Sequence, residues 1–150
     1  MKFSGKVKTI TEAMITESPT IGTFQREKGK GFTEGLIMMW LVYLNDLLNL
    51  NKPMTEDQIE MCATEITNEY YALKFSDLTL LYKRIISGSY GEFYESLSIP
   101  KVLSFFRQYF EERCDIAYDQ SLRDHKNMAS EDTFSFSKNI KRVLRGDKTK

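Results

Sequence analysis

Apolar residues recur at three- and four-residue spacing in several stretches of this 150-residue chain. The first such stretch opens at Phe32 and runs to about Leu50, where the turn residues before Pro53 end it. Its apolar positions cover a broad face, which predicts a helix that is buried on more than one side. They are Leu36, Ile37, Met39, Trp40, Tyr43, Leu44, Leu47 and Leu48. We interpret Trp40 as a core or helix-interface residue.

Capping residues mark the next two helices. Thr55 is a good N-cap, and Gln58 three residues later completes a capping box. The inner stripe of this amphipathic helix is predicted to contain Ile59, Cys62, Ala63, Ile66 and Tyr70. A third helix is predicted over residues 77–87, with Ser76 as its cap and Gly88 in a left-handed conformation after its end.

The last predicted helix is the longest. Pro100 suits its first helical position, and the apolar pattern continues to about Lys126. That span corresponds to roughly 39 Å at 1.5 Å per residue. A helix of this length would extend beyond a domain of this size and offer its C-terminal half to a partner or to the tail. The polar stretch 124–132 separates it from a basic end.

The residues before the first periodic stretch show no clear pattern, and residues 9–15 fit either a short helix or a strand. Glycines and basic residues between Gly22 and Gly35 favour a flexible arm over residues 1–31. We therefore predict an all-α protein, with a compact bundle of four to five helices in residues 32–127. Residues 128–150 are predicted to form a polar, basic C-terminal tail.

The composition indicates a folded chain whose net charge produces no strong electrostatic field. Hydrophobic residues make up 41% of the sequence, and the formal net charge is zero. A neutral chain of this kind is not attracted as a whole to nucleic acid or to a membrane surface. The longest strongly apolar run, residues 36–44, is too short to span a bilayer. We therefore expect a cytoplasmic protein.

The residue types that usually perform catalysis are sparse and scattered. The single histidine, His125, lies in a polar stretch, and we interpret it as solvated. Cys62 and Cys114 lack metal-ligand spacing, so we interpret both as small core residues of a reduced protein. Glu111, Glu112 and nearby acids are explained by ion pairs with neighbouring arginines. We expect no enzymatic activity, no metal and no cofactor.

Two candidate binding surfaces remain. Basic residues flank an aromatic turn at residues 90–94, a combination that can bind a partner or single-stranded nucleic acid. The alternative is that these aromatic residues cap the core. The predicted partner-binding residues are Lys74, Arg84, Tyr90, Phe93, Tyr94, Tyr109 and Arg113.

The second surface is the basic C-terminal end, which has six basic residues and one acid from residue 138 to residue 150. Such a segment can neutralise phosphates with a salt-dependent affinity. A disordered, solubilising end is the alternative. The predicted nucleic-acid-binding residues are Lys138, Lys141, Arg142, Arg145, Lys148 and Lys150.

The central stretch also resembles a known group of proteins. It contains Glu69-Tyr70-Tyr71, Gly88-Ser89-Tyr90-Gly91, Phe93-Tyr94 and Tyr109-Phe110-Glu111-Glu112-Arg113. These residues resemble an uncharacterised domain family of phages, plasmids and conjugative elements of Bacteroidetes. Ser87 and Glu92 stand where typical members have lysines. The family has no established activity, and its layout is similar to the small helical domains of phage helicase loaders and replisome organisers.

The resemblance implies a non-enzymatic adaptor that is accessory to DNA replication. Its partner would be a replicative helicase or another phage or host protein, with the tail in contact with DNA and no role for a membrane. Two alternatives stay open. One is an oligomeric structural or packaged virion component, and the other is an inhibitor of a host defence protein. The virion component would self-assemble, whereas the adaptor would be a discrete monomer or dimer.

Overall fold

Helices provide the regular secondary structure of this protein. The structure is a computed structural model that describes residues 7–91 and 96–144, without the side chains of residues 139 and 141–144. In these ranges it has six α-helices and no strand, so the all-α prediction is confirmed. The helices are α1 (Ile10–Ile15), α2 (Ile21–Lys28), α3 (Lys30–Leu48), α4 (Glu56–Glu69), α5 (Phe75–Ile86) and α6 (Ile99–Leu144).

The first two helices lie where the sequence predicted a flexible arm. The Thr9 hydroxyl accepts a hydrogen bond from the Glu12 N–H, and the Glu12 carboxylate accepts one from the Thr9 N–H. This capping box begins α1, and the Thr20 hydroxyl begins α2 by accepting from the Thr23 N–H. Four apolar side chains of the segment are buried, which are Val7, Ile10, Ala13 and Ile21. The segment therefore contributes to the core.

Residues near the start of α5 hold the end of α1. The Lys74 ammonium donates to the carbonyl oxygens of Met14 (2.6 Å) and Thr16 (3.2 Å). The buried Ser76 hydroxyl donates to the Ala13 carbonyl oxygen at 2.7 Å. The last carbonyl groups of a helix have no partner within it, so these contacts satisfy groups that would otherwise need water.

The turn between α4 and α5 holds the start of α2 in the same way. The N–H groups of Ile21 and Gly22 donate to the carbonyl oxygens of Leu73 (2.8 Å) and Tyr71 (2.9 Å). These donors are among the first N–H groups of α2, which have no partner within the helix. Both N-terminal helices are thus anchored by residues 71–76.

Helices α3 and α4 are joined by a loop that Asn45 closes. Its amide donates to the Met54 carbonyl oxygen at 3.0 Å and accepts from the Met54 N–H at 2.9 Å. The predicted capping box of Thr55 and Gln58 is confirmed at the start of α4. The predicted inner stripe of α4 is buried, from Ile59 through Tyr70.

The core centres on aromatic rings. Trp40 is 4% exposed, and its indole N–H donates to the Leu78 carbonyl oxygen at 3.3 Å. Its ring lies 5.5 Å from the ring of Phe106, which in turn lies 5.4 Å from that of Tyr70. The interpretation of Trp40 as a core residue is confirmed.

Helices α5 and α6 differ from their predicted limits. Lys74 is the N-cap residue of α5, because Ser76 is already helical and its hydroxyl is bonded to α1. Gly88 has φ of 79°, as predicted. Helix α6 continues through the polar stretch near Lys126 to Leu144, since no glycine or proline occurs between residues 101 and 144 to stop it.

The chain divides into two units, Met1–Arg113 and Cys114–Lys150. The first contains the aromatic core, and the second contains the larger part of α6. Of the residues that the structure describes, none belongs to a helix with the length and apolar character needed to cross a membrane.

Candidate functional site

Three of the predicted partner-binding residues meet at the carboxylate of Asp77, which is fully buried. Its Oδ1 atom accepts from the Tyr109 hydroxyl at 2.7 Å. Its Oδ2 atom accepts from the Lys74 backbone N–H at 2.8 Å and from Nε of Arg113 at 3.1 Å. We call Asp77, Lys74, Tyr109 and Arg113 the Asp77 cluster.

The Asp77 cluster balances the cost of a buried charge. An unpaired carboxylate would be very unfavourable in this environment, but here it has three donors and the positive charge of Arg113. Burial and the adjacent Asp77 carboxylate raise the pKa of Tyr109 well above its ordinary value. Tyr109 therefore keeps its proton and donates to Asp77 across the physiological pH range.

Arg84 and Tyr90 extend this arrangement. The Arg84 guanidinium pairs with the Glu112 carboxylate at 2.7 Å and lies 5.6 Å from the centre of the Tyr109 ring. The Tyr90 ring packs 5.6 Å from the ring of Phe105. Burial raises the pKa of the Tyr90 hydroxyl, whereas the nearby Arg84 charge opposes this shift. Phe93 and Tyr94 lie outside the described residues.

These contacts give the predicted binding residues a role inside the fold. The Lys74 ammonium donates to the Met14 carbonyl oxygen in α1, and the Lys83 ammonium donates to the Val7 carbonyl oxygen before α1. The Lys101 ammonium lies 5.6 Å from the centre of the Phe105 ring. Tyr109 has no exposed surface. For Tyr90 and Tyr109 the geometry corresponds to the alternative in which the aromatic residues cap the core. Partner binding through Phe93 and Tyr94 stays a prediction.

A surface that the sequence reading missed lies on α3. One side of this helix is buried through Thr33, Ile37, Trp40, Leu41 and Leu44. The opposite side presents large apolar side chains to solvent, which are Phe32, Met39, Val42, Tyr43 and Leu47, with exposed fractions from 43% to 64%. We call these five residues the outer face of α3. The prediction that α3 is buried on more than one side is wrong for this chain.

A groove runs along the outer face of α3. Its volume is about 590 Å³, and it is lined by Gly35, Met38, Met39, Val42, Tyr43 and Asp46. Exposed apolar side chains concentrated on one helix face are typical of a protein-binding surface. The lining is apolar apart from the Asp46 carboxylate and the backbone.

Two glycines leave the start of this surface flat. Gly31 and Gly35 lie one helical turn apart, and a Cβ atom at either position would meet nothing within 4 Å. Glycine within a helix costs roughly 0.5–1 kcal/mol relative to alanine. No close packing within the chain requires it here. Their effect is to leave room for another backbone to approach α3, and together with the broad apolar stripe they were the signal in the sequence.

A second cleft has more polar walls. It has a volume of about 390 Å³ and is lined by Gly22, Gln25, Arg26, Lys30, Thr67, Asn68 and Tyr71. Arg26 donates to the Thr23 hydroxyl at 3.2 Å, and Lys30 lies 3.8 Å from the Glu34 carboxylate. Because both cations have neighbours within the chain, this cleft is a weaker candidate for binding.

The predicted nucleic-acid-binding residues are described only in part. Lys138 is exposed on α6. The backbone of Lys141 and Arg142 is helical, but their side chains lie outside the description, as do Arg145, Lys148 and Lys150 altogether. Binding of nucleic acid by these residues stays a prediction.

The remaining reactive side chains do not converge. His125 and Cys114 are exposed, so the interpretation of Cys114 as a core residue is wrong, while Cys62 is buried. Burial raises the pKa of the Cys62 thiol to about 12, which keeps it protonated and unreactive. The described residues contain no group of three or more His, Cys, Asp or Glu side chains that could hold a metal ion.

Comparison with known proteins gives no relative: no family model, curated protein or solved structure matches this chain. The resemblance of the central stretch to a family of mobile elements therefore stays a prediction.

Proposed function

We propose that this chain is a non-enzymatic adaptor that binds a helix of a partner protein on the outer face of α3. The observation that carries the proposal is the row of exposed apolar side chains along this face and its groove. Most other large apolar side chains of α3 to α5 are buried. Within these helices, exposed apolar side chains are therefore concentrated on the outer face of α3. Burial of such a surface is the main favourable contribution to protein association.

A helix is the segment that suits this surface best. Apolar side chains along one helix face form ridges that can pack into the grooves of a second helix. The open backbone at Gly31 and Gly35 allows close approach, and the flexible side chains of Met38 and Met39 can adapt to the incoming side chains. The carboxylate of Asp46 lines the groove, so the partner helix would be amphipathic and carry a basic residue near Asp46.

For this adaptor we propose, more specifically, an accessory function in the DNA replication of a phage or mobile element. It is supported by the resemblance of the central stretch and by the six basic residues from Lys138 to Lys150. In this role the partner is a replicative helicase, and the basic end binds DNA with an affinity that falls as salt rises.

A structural role in a virion is the second candidate. The specific observation in its favour is the set of exposed apolar residues in the second unit, which includes Tyr118, Met128, Phe134 and Phe136. Such a component would assemble through these residues with itself or with other structural proteins.

The test compares two exposed methionines. Met39 is 57% exposed in the groove of α3, and Met61 is 64% exposed on α4. Tagged intact protein, Met39→Glu and Met61→Glu are used to capture partners from cells that carry the element. We expect the intact protein and Met61→Glu to retain a replicative helicase, and Met39→Glu to lose it. Equal retention by all three proteins would contradict binding through α3.

The DNA contact is tested separately at low and high salt. Deletion of residues 138–150 should abolish the salt-sensitive retention of DNA and leave the helicase bound. Capture of capsid or portal proteins in place of a helicase would refute the replication role and support the structural one.

A further inference from the structure

The part of α6 in the second unit is a long helix without a core of its own. Residues 114–144 span about 46 Å at 1.5 Å per residue. From residue 114 to residue 138, no side chain is buried. Helices in proteins gain most of their stability from the packing of an apolar face against another element. This segment is therefore expected to pack against something.

One face of this segment has a regular stripe. Its members are Tyr118, Leu122, His125, Ala129, Thr133, Phe136 and Ile140, and all seven are exposed. The spacing is four, three, four, four, three and four residues. Apart from the polar His125 and Thr133, the stripe is apolar. An 11-residue repeat, which has 3.67 residues per turn, keeps such positions in line along a helix that pairs with another.

The spacing of the stripe positions is the same before and after Ala129. In an antiparallel pair of identical helices centred on this residue, Tyr118 faces Ile140 of the second copy and Leu122 faces Phe136. His125 faces Thr133, and the two copies of Ala129 meet at the centre. A small residue at the centre lets the two backbones come close, and large residues fill the interface on both sides.

The charges of the segment favour the same direction. Its first turns contain Asp115 and Asp119, whereas its last turns contain Lys138, Lys141 and Arg142. An antiparallel arrangement places the acidic end of one copy beside the basic end of the other. A parallel arrangement would place like charges together, which is unfavourable.

We propose that residues 114–144 form an antiparallel pair with a second copy of this chain, with Ala129 at the two-fold axis. The occupant of the stripe is thus this protein itself, and the interface is isologous. The pairing covers the stripe on each copy and leaves Phe134, which lies on the other side of the helix, exposed. It is independent of the outer face of α3.

Sedimentation equilibrium of the full chain tests the association with a matched pair of phenylalanines. Phe136 in the stripe is 68% exposed, and Phe134 outside it is 73% exposed. We expect the intact protein and Phe134→Glu to be dimers and Phe136→Glu to dissociate with a Kd at least about tenfold higher. A monomeric intact protein, or equal effects of the two substitutions, would overturn the proposal.

Disulfide trapping tests the direction. In a Cys114→Ser background, His125→Cys and Thr133→Cys are prepared as two separate proteins, and Ala129→Cys as a third. Cys62 is retained because it is buried. Mixed oxidation of the first two proteins should give a heterodimer, and Ala129→Cys should form a homodimer.

Each of the first two proteins alone should resist cross-linking. In the antiparallel register, identical positions at 125 or 133 lie about 12 Å apart along the axis. That separation is beyond the roughly 7 Å between Cα atoms that a disulfide can bridge. Efficient homodimers of His125→Cys alone would indicate a parallel pair and refute the proposal. Loss of helicase binding in Met39→Glu with an unchanged dimer would separate this interface from the proposed function.

Discussion

The Asp77 cluster and the outer face of α3 are both parts of the first unit, but their side chains meet opposite conditions. The carboxylate of Asp77 is fully buried and finds three donors within the chain. On the outer face of α3, five large apolar side chains are exposed. Three residues that suggested a binding site, Lys74, Tyr109 and Arg113, thus have partners within the fold. Several apolar residues that suggested a core, such as Met39 and Tyr43, are exposed.

This difference shows that residue type alone is a poor guide to a binding surface. Basic residues beside aromatic ones are common to nucleic-acid sites and to polar networks that join helices. Burial decides between the two. Lys74 and Tyr109 are used within the chain, so their substitution should affect stability before it affects binding.

Substitution of Asp77 should have the largest effect. Asp77→Ala removes the acceptor of Tyr109, of the Lys74 N–H and of Arg113, which leaves buried polar groups without a partner. We expect a loss of about 3–5 kcal/mol in the free energy of unfolding, measured by urea denaturation. Asp46→Ala, at an exposed acid of the groove, should change it by less than about 0.5 kcal/mol. Similar values for the two variants would contradict the structural role of Asp77.

Several features of this fold were visible in the sequence because they depend on local patterns. The capping box at Thr55 and the inner stripe of α4 are examples, and both are confirmed. The Asp77 cluster was not visible, since the bonds of Tyr109 and Arg113 to Asp77 join residues that lie more than 30 positions apart. For residues 9–15 the choice between a short helix and a strand stayed open because so short a segment gives too little periodicity, although the capping box of α1 is present in the sequence.

The outer face of α3 was misread for a different reason. A helix with a broad apolar face is predicted to be buried on more than one side, and the sequence cannot say whether the burying partner belongs to the same chain. The direction of Met39 and Tyr43 away from the core became evident only from the packing of α3 on α2, α4 and α5.

The pH dependence of stability should show the second largest effect. Burial and Asp77 raise the pKa of Tyr109 in the folded protein. The unfolded state therefore releases this proton first, from about pH 10 upwards. The contribution of Tyr109 is complete below that pH and is lost as the pH rises towards the folded pKa. The free energy of unfolding should fall by up to about 1.4 kcal/mol per pH unit from this group.

Tyr109→Phe provides the control for this effect. It should be less stable at neutral pH, because Asp77 loses a donor, and its stability should fall less steeply above pH 10. Chemical denaturation at several pH values measures both slopes. An equally steep decrease in the variant would assign the effect to other tyrosines, such as Tyr70 and Tyr82, whose pKa values burial also raises.

Substitution of Gly35 should have a smaller effect, which raises the stability of the fold and lowers the affinity for the partner. Gly35→Ala should stabilise α3 by about 0.5–1 kcal/mol, because alanine favours the helix and its Cβ atom meets nothing within the chain. The same Cβ atom should weaken the affinity for the partner helix, measured by titration calorimetry. Tighter binding would show that the open backbone at Gly35 has no part in the contact.

Gly22→Ala is the matched comparison for folding. A Cβ atom at Gly22 would lie 3.3 Å from the Tyr71 carbonyl oxygen, so this substitution should not stabilise the protein. Stabilisation by both substitutions to the same extent would mean that the close contact between α2 and the Tyr71 turn is not maintained in solution.

Site-specific photo-crosslinking tests the central claim most directly, with two exposed tyrosines as matched positions. Tyr43 is 64% exposed on the outer face of α3, and Tyr71 is 60% exposed at the turn between α4 and α5. Benzoylphenylalanine is introduced at one position or the other in cells that carry the element. We predict a discrete adduct with one partner protein from position 43, absent in the presence of Met39→Glu, and none from position 71. Adducts from position 71 alone, or equal adducts from both, would contradict binding through α3.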